Sequence, residues 1–541
     1  MTLEVSILNW LLALSPIGVV LVLMVGFKFG ASRAGPLGWL TAFLVSVFFF
    51  GATARVLAYS QAKAALLALY VLYILWMALF LYQVASYAGA IEKIGSGLMR
   101  LTKDPLLQLL LLAWAFSGFL QGVGGFGVPI ALIAPLLIGL GFEPVTAVAA
   151  VAVGHSWAVT FGSMATSFKA LEAVSGLEAT ALAPWCGILL GISCILCGLA
   201  TAHLLAGGKG LRHGLLAVGV VGLGMGAAQL LLATHKLWTL ASFVAGLAGM
   251  GIIALVARLN IYRRPGVFVG GKIEDEGRTG ATSSDSAPVS GGRRPMGFLS
   301  ACSAYLILSG IVIVAQLVGP VTRLLSWKKI VLDFPALTTR FGFQTPAGPS
   351  KAISLFGHAG ALIFYAAIIS FFLYRAMGRY KPGATRQILA ATIHSAVPAT
   401  VGIISMVGFA TIMSHCGMTH LLALGISRSM GRLFPVFSAS LGALGAFMTG
   451  SNTNSNFLFA PLQMETAYLL GISVFIILAA QTTGGSLGSM LAPAKIIVGC
   501  STAGLEGREG LVLRKTIVYG IIITGIIGAL AWAAVYLLRL Q

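Results

Sequence analysis

Hydrophobic positions along this chain fall into runs of roughly 18 or more residues with few charges, each long enough to cross a ~30 Å hydrocarbon core as a helix. The first three, Ile7 to Phe27, Pro36 to Ala54 and Ala64 to Ile91, predict spanning helices. The loop after them carries Lys93, Arg100 and Lys103 and is expected in the cytoplasm. The next run is interrupted, because a short apolar arm from Pro105 to Leu120 meets GVGGFG before a second arm, Pro129 to Phe142. Two half-length helices joined by a glycine-rich tip predict a re-entrant hairpin over 105–142, tolerable at membrane depth only where protein or a cavity satisfies the freed backbone groups.

After Glu143 and Pro144 a discontinuous helix is expected over 144–180, broken at GHSWAVTFG, followed by spans Leu182 to Leu205, Leu215 to Ala233 and Leu237 to Ala257. A Ser/Gly-rich stretch, 258–297, reads as a polar cytoplasmic linker. Beyond it come Phe298 to Val318, a mixed loop, Ala352 to Tyr374 and Ile388 to Ser414. A second hairpin over 434–470, a second broken helix over 471–500 interrupted at QTTGGSLG, and a last span, Lys515 to Leu538, complete the chain.

The two halves match at a constant offset of 326 residues: Gly124 falls on Gly450, Ala134-Pro135-Leu136 on Ala460-Pro461-Leu462, Gly162-Ser163-Met164 on Gly488-Ser489-Met490, and Lys169 on Lys495. An odd number of crossings separates the copies, so they are expected to lie inverted in the membrane, an arrangement many secondary transporters use. The expected fold is therefore an all-α polytopic membrane protein with about 12 transmembrane helices, two re-entrant hairpins and discontinuous helices. Its two inverted repeats are 1–257 and 298–541, with both termini outside. Loop 319–350, with Arg323, Lys328, Lys329 and Arg340, falls outside in this topology and runs against the charge rule.

Composition sharpens this picture. Hydrophobic residues make up 58% of the chain and charged ones 9%, against about 25% charged in a soluble domain. The net charge of +20 sits in short loops, which points to an inner membrane rather than to nucleic acid. Glu4 precedes the first span where a signal peptide carries basic residues, so that span is expected to be retained. Cys194 and Cys197 form a C-x-x-C without a His or carboxylate cluster, and read as small packing residues rather than a metal or redox site. No P-loop or strand-borne GxGxxG occurs, so neither an enzyme nor a bound cofactor is expected.

Four irregular segments carry the candidate chemistry. Helix breaks expose backbone N–H groups with about +0.5 charge at a helix N-terminus, suited to a small anion. Uncharged hydrogen-bonding residues and glycines gather at the same places. Gln121, Gly124, Gly125 and Gly127 mark the first tip, and Ser451, Asn452, Thr453 and Asn454 the second. His155 and Ser156 mark the first break, and Gln481, Thr482 and Thr483 the second. All of these are candidate substrate-binding residues. His155, the titratable group among them, is the coupling candidate, although a buried His is as often a hydrogen-bonded core residue. Lys169 and Lys495 stand far enough past the breaks to reach the interface, where snorkelling is expected.

The runs GVGGFGVP with APLLIGLGFEP, TGSNTNSN with FAPLQ, and TTGGSLGSMLAP resemble the bacterial L-lactate permease family. The resemblance extends over nearly the whole chain. It implies a secondary transporter of lactate and related 2-hydroxymonocarboxylates such as glycolate, typically coupled to protons. It also places the chain in a wider group of ion transporters, some of them elevators, in which Ser451-Asn452-Thr453 looks like a tip element for a substrate carboxylate. Family members typically carry Glu where Gln121 stands, Asp where Asn452 stands, and Asn where His155 and Gln481 stand. Those departures keep open another organic anion, such as a sulfonate or larger carboxylate with sodium coupling, or an ion antiporter or channel on the same plan. Expected partners are the small anion, a coupling proton or sodium, the lipid bilayer and a further copy of the chain.

Overall fold

The structure, a computed structural model, describes residues 6–27, 29–98, 101–125, 127–263 and 296–538. Most of the 258–297 linker, Arg100 and Phe126 of GVGGFG lie outside the described residues. Helices dominate because in hydrocarbon every backbone N–H and C=O must be satisfied within the segment. The described residues contain 12 helices long and apolar enough to cross a membrane, or up to 13 if the bent pair Pro144–Ala158 and Gly162–Ser175 is one span.

In chain order, α1 (Ile7–Leu21), α2 (Ala31–Phe49), α3 (Ala54–Tyr87) and α4 (Ala90–Leu98) come first. Side-chain caps set the starts of α1 and α3: Ser6 accepts from Asn9 N at 3.1 Å and Thr53 from Val56 N at 3.2 Å. Asp104 likewise caps α5 (Pro105–Leu109), which continues through a π-helical stretch, Leu110–Phe116, into α6 (Ser117–Val123). The chain reverses at 124–127, where Gly125 and Gly127 have φ of 61° and 87°, and returns as α7 (Val128–Gly139). Helix α8 (Pro144–Gly154) then runs inward and stops at His155.

After a single tight turn comes α9 (Gly162–Ser175), whose first turn is left-handed: Ser163, Met164 and Ala165 have φ of 47°, 56° and 62°. Such φ values cost non-glycine residues steric strain. Next comes α10 (Ala179–Thr234), bent where Gly207 takes φ 57°. The stretch between the expected spans Leu182 to Leu205 and Leu215 to Ala233, with Lys209 and Arg212, is thus helical, and the two spans are joined by a kink. Helices α11 (Ala241–Val256) and α12 (Asn260–Arg263) close the first half.

Past the linker are α13 (Phe298–Leu317) and α14 (Gly319–Leu325). Where a mixed loop was expected, short strands nest as one antiparallel hairpin: Lys329–Ile330 pairs with Ile353–Ser354, Asp333–Phe334 with Gly348–Pro349, and Leu337–Thr338 with Gln344–Thr345. The fold is therefore helical with one small β-element. The hairpin docks through Arg340 N, which donates to Gly51 O at 2.8 Å, and through buried Leu337. Helices α15 (Ala359–Ala376), α16 (Ala384–His415) and α17 (Met418–Met430) follow, the last in a stretch where no element was expected.

Helices α18 (Phe434–Thr449) and α19 (Asn452–Leu470) form a second helical pair, its turn opened by Gly450 at φ 70° and capped by Ser451. Then come α20 (Val474–Gly488), α21 (Pro493–Thr502) and α22 (Glu509–Tyr536). The expected break at QTTGGSLG is misplaced, because those residues are helical and the chain departs from the helix only over 489–492. Its glycines serve packing. A Cβ at Gly484 or Gly488 would collide with the carbonyl oxygens of Ala439 and Ala443, so α20 and α18 meet backbone to backbone. The largest core joins α5 to α11 with α18 to α22; a second cluster joins α1, α2, α16 and α17.

Candidate functional site

The turn between α18 and α19 meets the first half's helix break in the protein interior. Asn452, first residue of α19, donates from Nδ2 to Thr160 Oγ1 at 3.0 Å and to Thr482 O at 3.1 Å. Thr160 Oγ1 in turn donates to Thr482 O at 3.0 Å. Ser486 Oγ donates to Ser156 O at 2.5 Å and accepts from Val159 N at 3.1 Å and Thr160 N at 3.3 Å. The freed N–H and C=O groups of one half's break are thus satisfied by the other half's helix, as buried backbone requires.

Beside this seam lies a cavity of about 30 Å³ lined by Gln121, Val159, Ser163, Thr166, Ser167, Gly450, Ser451, Asn452, Thr453 and Lys495. Four of the expected residues, Gln121, Ser451, Asn452 and Thr453, therefore share one wall system. Gln121 is 2% exposed, and its Oε1 has no hydrogen-bond partner among the described residues. Ser167 and Thr453 hydroxyls meet at 2.9 Å, and Asn456 Nδ2 donates to Ser167 O at 3.0 Å, which pins α9 to α19. The first N–H groups of α19, without intrahelical acceptors by geometry, belong to residues on this wall.

The other expected residues surround the cavity without lining it. Gly125 packs against Ser163 Oγ, and Gly124 against the Tyr82 ring. Gly127 lines a separate cavity of about 310 Å³ with Tyr82 and Val498. His155 is fully buried; its Nδ1 lies 2.7 Å from Val151 O, and Nε2 has no partner among the described residues. Ser156 Oγ donates to Val153 O at 2.7 Å. Asn454 faces Gly402 of α16, while Gln481 donates to Ser455 Oγ at 3.1 Å and accepts from Gln463. Thr482 accepts from Asn452 and Asn456, and Thr483 Oγ1 has no partner among the described residues.

Sequence reasoning missed Ser163, Thr166, Ser167 and Lys495. Lys495 is 7% exposed and lines the cavity, which corrects the expectation of snorkelling. With the second break at 489–492, Lys495 is the third residue of α21 and not the end of a long helix. Lys169 does not snorkel either. It is buried, pairs with Glu172 at 2.8 Å, and stands 4.0 Å over the Trp238 ring. Lys351, from the β-hairpin, reaches the same Glu172 at 3.0 Å.

At the loop before α8, Glu143 caps the helix through Val145 N and Thr146 N. Burial raises its carboxyl pKa, but the Thr146 hydrogen bonds and Lys515 at 3.5 Å outweigh that and hold it below the usual value. A wider cavity of about 650 Å³, lined among others by Met24, Phe29, Ala31, Phe447, Ile497 and Glu509, shares Gly450 with the small one. Among the described residues no group of three or more His, Cys, Asp or Glu is placed to hold a metal ion.

Comparison with known proteins places this geometry. An L-lactate permease of Salmonella typhimurium is 28% identical over 481 residues, covering 86% of this chain and 84% of that protein. Glycolate permease GlcA of Escherichia coli is 28% identical over 548 residues, with 98% and 96% covered. A crystal structure of the YdaH transporter of Alcanivorax borkumensis aligns at a TM-score of 0.47 with 17% identity, covering 97% of both chains. The relatives are permeases, and with the apolar helices they make this a multi-pass inner-membrane transporter rather than an enzyme. The L-lactate permease family model matches residues 9–538, so the chain belongs to the L-lactate permease family.

Proposed function

We propose that this chain is a secondary active transporter of L-lactate and related 2-hydroxymonocarboxylates such as glycolate, working by symport with an ion, a proton or sodium, and by elevator-like alternating access. The observation that carries the reading is the small cavity whose wall pairs the N-terminus of α19 with an unsatisfied acceptor, Gln121 Oε1. A carboxylate fits the helix N-terminus. A 2-hydroxyl can donate to Gln121, which otherwise carries the cost of a buried unpaired acceptor. The names of the relatives, lactate and glycolate permeases, support the same substrates.

The cavity, at about 30 Å³, is narrow, and movement of the α18–α19 turn would widen it for a three-carbon acid. That turn sits between the two cores, where sliding of one against the other opens it to either side. None of the lining residues is a carboxylate, the group a cation exchanger needs in the membrane. In proteoliposomes, L-lactate or glycolate uptake is expected to saturate and to fall about tenfold or more in Asn452→Ala, which removes three hydrogen bonds at the seam. Uptake equal to wild type in both Asn452→Ala and Ser451→Ala sinks the proposed site.

A further inference from the structure

We propose that Lys495 is both the cation that pairs with the substrate carboxylate and the carrier of the coupled proton. The first half of this assignment needs only a bound monoanion; the second rests on the symport reading above. Lys495 lines the small cavity together with uncharged side chains only, so its ammonium is the cavity's one formal charge. Among the described residues no carboxylate lies within ion-pair distance of it. The contrast with the first half is internal to the molecule. Lys169, 326 positions earlier, is neutralised by Glu172 and covered by Trp238, whereas Lys495 is left facing a cavity.

An unpaired charge inside a membrane protein is expensive, and one retained there marks a functional site. A bound monocarboxylate makes the cavity neutral; a dicarboxylate would leave it negative, and a neutral solute would leave it positive. The surroundings add no second charge on the cavity wall. Helix α21 packs on α7, α8 and α22. Helix α7 and the α18–α19 turn carry no titratable side chain, and α8 ends in His155. Helix α22 brings Glu509, Arg514 and Lys515; of these Glu509 lines the wider cavity and Lys515 pairs with Glu143.

The cycle follows from charge balance. Protonated Lys495 binds the carboxylate on the uptake side and crosses as a neutral pair. The acid anion leaves on the other side, and Lys495 Nζ gives one proton to the water that replaces it. The neutral amine returns and takes a proton from water on the uptake side. One carboxylate and one proton have then moved in the same direction. A carrier that stays protonated can return only with another anion aboard, which is exchange without net uptake.

The test uses purified full-length protein in proteoliposomes with labelled L-lactate and glycolate. Lys495→Arg, whose guanidinium keeps its proton, is expected to exchange acid across the membrane but to lose pH-driven accumulation. Lys495→Met is expected to lose both, with exchange down about tenfold or more. Accumulation retained in Lys495→Arg, or wild-type exchange in Lys495→Met, overturns the assignment. Where either variant exchanges too slowly to measure, proton uptake on binding decides. Wild-type protein in weakly buffered alkaline solution should take up protons when sodium lactate at matched pH is added, and constant pH overturns the proton-carrying role. A thermal-shift panel of short carboxylates and sulfonates separates this from the substrate reading. Stabilisation of wild type by another monoanion but not by lactate or glycolate sinks the proposed substrate and leaves Lys495 standing if the shift vanishes in Lys495→Met. A shift that persists in Lys495→Met sinks the pairing role, and no shift with any anion sinks both.

Discussion

Gly125 occupies a place that a side chain cannot. Its φ of 61° disfavours any L-residue, and a Cβ there would collide with Ser163 Oγ, one of the cavity's own walls. Gly125→Ala is therefore expected to cost about 1–3 kcal/mol of stability and to displace Ser163, so that transport falls about tenfold or more while the protein still inserts. Uptake kinetics on variant proteoliposomes check this, and wild-type rates in the variant would refute the close approach. Glycines and polar residues at the tips were legible because they violate the apolar pattern around them. Lys495 was hidden by a misplaced helix end: the composition of QTTGGSLG suggests a break, yet Gly484 and Gly488 are helical and serve α18. The position of one kink decided whether a lysine was read as surface or site.

At the scale of elements, the β-hairpin ties itself to α9 through Lys351 and Glu172, while Glu172 also neutralises Lys169. Removing the shared carboxylate leaves a buried ammonium unpaired. Glu172→Gln should therefore destabilise the protein by about 3 kcal/mol or more, and Lys169→Met in the same chain should restore much of the loss. Thermal denaturation of the single and double variants measures it; equal melting points for all three would refute the pairing. His358 caps α15 beside this cluster, accepting from Gly360 N at 3.2 Å, with its ring stacked on Tyr73 at 5.1 Å. Burial, with the Lys169 charge adding to it, lowers its pKa from 6.5 to about 4. The unfolded chain thus takes up a proton below pH 6.5 that the folded one refuses until about 4, so stability is full above 6.5 and falls between these values. His358→Asn should flatten that part of the melting-temperature profile by about 1–3 °C. Neither the hairpin nor this cluster was visible in the sequence, because two-residue strands leave no periodicity and the partners are more than 170 positions apart, as Lys351 and Glu172 are.

For the whole molecule, the helical class, the number of long apolar runs and the matching motifs at 326-residue spacing were plain in the chain, since a bilayer allows few alternatives. Which helices pack together was not, because the contact between α9 and α19 is set by side chains nearly 290 residues apart. The wide cavity of about 650 Å³ borders the small one at Gly450 and is walled by both cores. We take it as the approach to the proposed site, and the expected topology puts it on the cytoplasmic side. In Ala494→Cys, on the face of α21 that lines it, a membrane-impermeant maleimide should react in inside-out vesicles, slow in lactate, and fail in right-side-out ones. Labelling from the opposite side only would reverse the orientation.

The left-handed turn at Ser163, Met164 and Ala165 is a spring. Each of the three stands in a conformation disfavoured by about 1–2 kcal/mol for a residue with a Cβ, and Ser163 forms part of the cavity wall. Glycine at Ala165, where only a single buried methyl is lost, would relax part of it, hardening the protein against heat and slowing turnover together. Thermostability here is bought against speed, and a hunt for stabilising substitutions in this chain would find its most effective ones where they do the most harm.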